Sequence, residues 1–201
     1  MKLRATIWLF AALLVKASSP AWSQSICDGV SGNLVVNCGF ETGNTSGWTL
    51  GGDTTFTGVS GPPYNNSGNF GLFEGPVGSD GSISQLVGDN STNYEISFYL
   101  MSEGGAPNSF TASWNGNTLL SLVDAQAFGY TLYTFDVTGN SGAGSNSLVF
   151  TFRQDPAFWG LDDVSVVNRG GTTPEPSSLL LLGSGLLAVG GVVRRKLRAN
   201  R

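Results

Sequence analysis

From Tyr94 to Ser102 the chain reads YEISFYLMS. Tyr94, Ile96, Phe98 and Leu100 fall on one side of an extended chain, and Glu95, Ser97 and Tyr99 on the other. That two-residue period suits a strand with one face on a core and one on water or a ligand, and it cannot serve a helix. Similar short runs recur, separated by clusters of Gly, Asn and Pro: NLVVN at Asn33, GWTLG at Gly47, NFGLFEG at Asn69, SISQLVG at Ser82 and SFTASWNG at Ser109. TLLSLVDA follows at Thr118, YTLYTFDVTG at Tyr130, NSLVFTFRQ at Asn146 and GLDDVSVVN at Gly160. Nine or ten short strands with tight polar turns predict an all-β chain, a jelly-roll β-sandwich over 24–169. No fixed-period repeat interrupts this reading.

Both ends differ from the middle. Lys2 and Arg4 precede an apolar run from Ile7 to Val15, and Ala21 and Ser23 supply small residues at −3 and −1 of a cleavage site. Residues 1–23 therefore read as a secretory signal peptide. Residues 170–176 read as a linker, stiffened by Pro174-Glu175-Pro176. From Leu179 to Val193 there is no charge, and Arg194, Arg195, Lys196 and Arg198 follow. Residues 177–201 thus predict a short transmembrane helix of about 22 Å with a cytoplasmic basic tail. It would be either a permanent anchor or a transient one.

Charge narrows the partners. Between Gln24 and Arg169 two bases stand against thirteen acids, a net −11. Such a surface repels nucleic acid and anionic lipid and attracts cations. The chain has no histidine, which excludes Ser-His-Asp and Cys-His catalysis. GSDGSIS at Gly78 lacks the lysine of a phosphate-binding loop, and Arg153 has Asp155 at hand as an ion-pair partner. Glu41, Glu74 and Glu103 fall in unrelated segments, with nothing to place two of them across one cleft. The expectation is no enzyme and no required cofactor.

Export to an oxidising compartment favours a disulfide between Cys27 and Cys38, two free buried thiols being the alternative. Sugar recognition needs exposed aromatic rings beside amide and carboxylate groups. Trp114, at a strand end with Asn115 and Asn117 next to it, and Tyr64, in GPPYNN, are the candidate contacts. Phe128 and Tyr130 flank Gly129 nearby in sequence. For each the competing role is a place in the core; Trp48 and Trp159 are assigned to the core.

Two resemblances add to this. Pro174-Glu175-Pro176, Ser178-Leu179, the Leu/Gly span and Arg194-Arg195-Lys196 resemble the PEP-CTERM sorting signal of Gram-negative bacteria, with Thr173 where that family usually has Val. The resemblance implies processing by an exosortase, transient residence in the inner membrane, and delivery to the cell surface or an extracellular polysaccharide matrix such as a biofilm. NLVVNCGFETGNTSGW and WGLDDVSVV resemble the first and last segments of galactose-binding-like jelly rolls, among them carbohydrate-binding modules, with Cys38 in place of a usual Gly. That implies polysaccharide as a partner. On the last strand strict alternation puts Asp162 in one row with Val164 and Val166. A charge on a core-facing row needs donors or a metal. With Glu41 brought close by the meeting of first and last strands, the pair would suit a structural Ca²⁺, as the resembling modules often carry. Backbone N–H groups are the alternative partners. The combined reading is an exported, exosortase-sorted, non-enzymatic surface or matrix protein, with a specific carbohydrate-binding module as the second reading and a small hydrolase as the third.

Overall fold

The computed structural model describes residues 24–155 and 157–170. The signal peptide expected at 1–23 and the sorting segment from 171 onward, Pro174, Glu175, Pro176, Arg194, Arg195 and Lys196 included, lie outside them. Among the described residues a single turn of 3₁₀ helix, Ile26–Gly29, precedes ten strands. They are β1 (Thr49–Gly52), β2 (Thr57–Ser60), β3 (Gly71–Glu74), β4 (Gly81–Val87) and β5 (Asn93–Ser102). The second half adds β6 (Asn108–Trp114), β7 (Asn117–Val123), β8 (Phe128–Thr138), β9 (Asn146–Gln154) and β10 (Trp159–Asn168).

They form two five-stranded antiparallel sheets, β1-β4-β9-β6-β7 and β2-β3-β10-β5-β8, so the chain crosses repeatedly between layers in a jelly-roll sandwich. The row Tyr94, Ile96, Phe98 and Leu100 points inward and is essentially fully buried. It meets Phe110, Ala112 and Trp114 of β6 and Leu148, Phe150 and Phe152 of β9. Phe98 and Phe150 pack edge to face at 5.0 Å across the sheets. Burial of each such ring is worth about 1.5–3 kcal/mol, and the edge-on contact adds about 1.

Two departures from simple alternation shape the molecule. NLVVN is not a strand: Leu34 gives one backbone bond to Val166 O, while Asn33 spends its side chain on Val164 O and the Val166 N–H. Asn37 then turns the chain at φ 53. Conversely TGVS, with one apolar residue and no alternation to read, is β2. The second departure is a bulge in β10. Asp162 pairs with Tyr99 but Ser165 pairs with Ser97, so β10 carries one residue more than β5. Asp163 absorbs it at φ 51. The bulge reverses the expected facing: Val164 and Val166 are in the core, but Asp162 shares the outer row with Tyr99.

Candidate functional site

The bulge sets two carboxylates under the segment 61–70, GPPYNNSGNF, which crosses the outer face of the β2-β3-β10-β5-β8 sheet. The Asn66 and Ser67 N–H groups donate to Asp162 Oδ2 at 2.7 and 3.1 Å. The Asn66 amide and the Ser67 hydroxyl donate to Asp163 at 2.7–2.8 Å. Asp163 also receives Ser25 Oγ at 2.5 Å and the Cys27 N–H at 3.2 Å, which ties the 3₁₀ turn to the same point. Cys27 is joined to Cys38 by a disulfide. At the far end of the segment Glu41 accepts the Asn69 and Phe70 N–H groups at 2.9–3.0 Å. Gly68 is required beneath it: its φ is +62, and a Cβ would lie 2.1 Å from Glu41 Oε1.

Glu41 and Asp162 thus grip one segment at two places, through N–H donors. Each backbone N–H group that a carboxylate accepts favours its ionised form. Among the described residues the cluster with metal-ligand spacing is Cys27, Asp28 and Cys38, and its two sulfurs are bonded to each other. Burial and the charge of Asp163 push the Asp162 carboxyl up to about 8, against the pull of its three N–H donors. Burial and the same two carboxylates hold Tyr130 well above the usual phenol range. It stays neutral and donates to Tyr64 O.

What the clamp positions is Tyr64. Its ring packs on Phe73 at 5.4 Å and on Phe158 at 5.8 Å, and Phe73 and Phe158 meet edge to face at 5.6 Å. The Tyr64 hydroxyl donates to Glu103 Oε1 at 3.2 Å, and the Phe158 N–H to Glu103 Oε2 at 3.0 Å. Beside Phe158 opens a cavity of about 170 Å³, lined by Phe56, Val77, Gln154, Asp155 and Phe158 with Gly75 and Ala157. Phe56 and Val77 are each 48 % exposed. Gln154 is fully buried: its Nε2 donates to Gly104 O, and its Oε1 has no partner among the described residues. Asp155, held below its ordinary value by Arg153 and the Gly78 N–H, stays ionised. The half-exposed Phe56, the partly exposed Phe158 and a fixed carboxylate meet at one end of the sandwich. This is the chemistry that takes a polyhydroxylated ring: C–H groups against aromatic faces, hydroxyls to the carboxylate.

Of the residues expected to contact a ligand, Tyr64 lies in this patch and Trp114 does not. Trp114 is 2 % exposed, packs on Tyr94 at 5.5 Å and donates its indole N–H to Thr138 O at 2.8 Å. It is a core residue. Asn115 is spent in the β6–β7 turn, where it and Gly116 both have positive φ; its amide donates to Asn146 Oδ1 and its oxygen accepts the Ser147 N–H. Phe56, Phe158, Gln154, Glu103 and Asp163 were not singled out for the site. PAFW at Pro156 and the Asp162-Asp163 doublet were the available signals.

No helix among the described residues is long and apolar enough to cross a membrane. No curated protein matches the chain. Solved structures similar to it include TmCBM61 in complex with β-1,4-galactotriose, at TM-score 0.57 and 20 % identity over 69 % of this chain and 100 % of that one. The K1 cleaved adhesin domain of Lys-gingipain from Porphyromonas gingivalis W83 gives 0.51 and 17 %, over 66 % and 96 %. The enzymatically active domain of bacteriophage CBA120 tailspike protein 4 gives 0.51 and 18 %, over 68 % of this chain but 21 % of that one. At these identities the likeness is one of fold: a carbohydrate-binding module and an adhesin share the sandwich. The chain itself carries, at residues 172–196, the PEP-CTERM protein-sorting motif.

Proposed function

We propose that this is a non-enzymatic protein, sorted by an exosortase to the surface or extracellular matrix of a Gram-negative bacterium, whose sandwich binds polysaccharide at the aromatic end patch. The sorting motif at 172–196 supports the destination. The observation that carries the binding reading is the pair of rings Phe56 and Phe158 lining one cavity with the ionised Asp155, the Tyr64 ring packed behind Phe158. A binding role also suits the carboxylates. Both oxygens of Glu103 are held by Tyr64 and Phe158, and Glu74 is enclosed at 1 % exposure, so neither is placed as a free acid or base toward a substrate.

The test is affinity electrophoresis of the full-length chain in detergent through gels carrying the host's own matrix polysaccharide, with β-1,4-galactan as one further probe. Retardation by at least one glycan, reduced about tenfold in affinity by Phe158→Ala and by Phe56→Ala, is the expected result. Full mobility in every gel, or equal retardation of both variants, would sink the assignment to this patch.

A further inference from the structure

We propose that two copies of this chain associate through the free edges of β8, antiparallel and about a two-fold axis. Among the described residues the four sheet edges are unequal. On one side of the sandwich they are β1 and β2, four residues each, too short to template another strand. On the other they are β7, seven residues, and β8, eleven. Edge strands are ordinarily blunted by shortness, Lys or Pro. FGYTLYTFDVT has neither Lys, Arg nor Pro, and its one charge is Asp136; NTLLSLV of β7 has no charge. The large apolar side chains Leu132 and Val123, 51 % and 71 % exposed, stand on these two strands.

The backbone fixes which groups are offered. The Gly139 N–H donates to Thr92 O, and Asn93 is opposite Thr138. Antiparallel alternation then turns 131, 133, 135 and 137 toward β5 and leaves the N–H and C=O of Leu132, Thr134 and Asp136 facing outward. With the axis at Tyr133, Leu132 of one copy is opposite Thr134 of the other and Tyr130 opposite Asp136, for about eight backbone bonds. The two Asp136 carboxylates then stand about 20 Å apart, beyond the ~8 Å screening length, so the acidic chain meets itself where it is least charged. An edge about 35 Å long and 20 Å deep removes about 1,400 Å² from water over both copies, within the range of specific complexes.

The full-length chain in detergent micelles, sized by light scattering from about 1 to 100 μM, tests this. Thr134→Pro removes an N–H that faces away from β5, a position where an edge strand tolerates proline. Leu132→Lys sets like charges near the axis. The expected result is a dimer for the parent chain and at least tenfold weaker association in both variants, with unchanged near-UV circular dichroism. A parent chain monomeric throughout, or a dimer that survives in either folded variant, overturns the proposal. If Thr134→Pro loses its near-UV signal, Leu132→Lys alone decides.

Discussion

Tyr64 and Phe158 share one carboxylate: the tyrosine hydroxyl and the phenylalanine N–H bond the two oxygens of Glu103, at 3.2 and 3.0 Å. Glu103 follows β5, Tyr64 lies in the segment over the sheet, and Phe158 leads into β10, so one side chain sets the angle between two rings from different parts of the chain. Glu103→Ala should loosen both rings and leave the core untouched. Glycan affinity is expected to fall about tenfold, about 1.4 kcal/mol, with a melting shift of a few degrees at most. Isothermal titration beside a thermal melt checks it; a large melting shift with affinity kept would make Glu103 a structural residue only.

Glu41 and Asp162 were expected to hold calcium, and in the structure they hold the 64–70 segment through N–H groups. The melting temperature is therefore expected to be the same in millimolar calcium and in excess EDTA. Glu41→Ala, by contrast, should cost about 1–2 kcal/mol, since it strips the acceptor from the Asn69 and Phe70 N–H groups at a partly solvated site. Urea unfolding of parent and variant, each with and without EDTA, separates the two. A rise of several degrees with calcium that Glu41→Ala abolishes would place the metal at this site.

Much of the sandwich was legible because its strands obey one rule. In β5 and β9 alternation names the buried row directly, for a pleat leaves no other way to hide Phe98 or Phe150. The site was less legible because it is made where that rule breaks. The extra residue in β10 turned Asp162 outward, and no local signal distinguishes a bulged Asp-Asp doublet from a straight one. Trp114 was misread because an aromatic at a strand end is equally apt for a platform and for a core lid; the nearby Tyr94 ring and Thr138 carbonyl settled it. Phe56 is far in sequence from Gln154 and Phe158, and only the folded chain brings them together.

Glu74 makes the stability of the fold depend on pH. Burial pushes its carboxyl up to about 8 from an ordinary 4.5; the Thr57 hydroxyl, at 2.6 Å from Oε2, works against that, and Asp53 adds to it. Its Oε1 has no partner among the described residues. Between pH 4.5 and 8 the folded chain therefore holds a proton at Glu74 that the unfolded chain has released. Stability must fall as pH rises through that window and level off above it, by about 1.4 kcal/mol per unit for each such proton. Asp162, also pushed up to about 8, adds a slope of the same sign. Glu74→Gln, neutral at every pH, should flatten the dependence by about one proton. Urea titrations at pH 5, 6, 7 and 8 read this as a difference in slope, and identical slopes would show that Glu74 is ionised in the folded chain.

The Cys27–Cys38 disulfide, spanning 11 residues, does more than close a loop. It sits beside the Cys27 N–H that reaches Asp163 Oδ1, and Asp163 in turn holds Ser67 and Asn66 under Tyr64. Loop closure alone is worth about 2–3 kcal/mol. Replacing both cysteines by serine should cost that much in urea unfolding. It should also loosen the N-terminal residues from the Asp163 side chain, and with them the segment that carries Tyr64. Hydrogen exchange of the full-length chain in detergent locates the effect. Protection should drop at 24–40 and 64–70 and persist in β5 and β9, whose bonds lie in the sheet interior. Loss confined to 24–40 would break the link from the disulfide to the aromatic patch, and uniform loss across all strands would mean the bridge stabilises the sandwich as a whole.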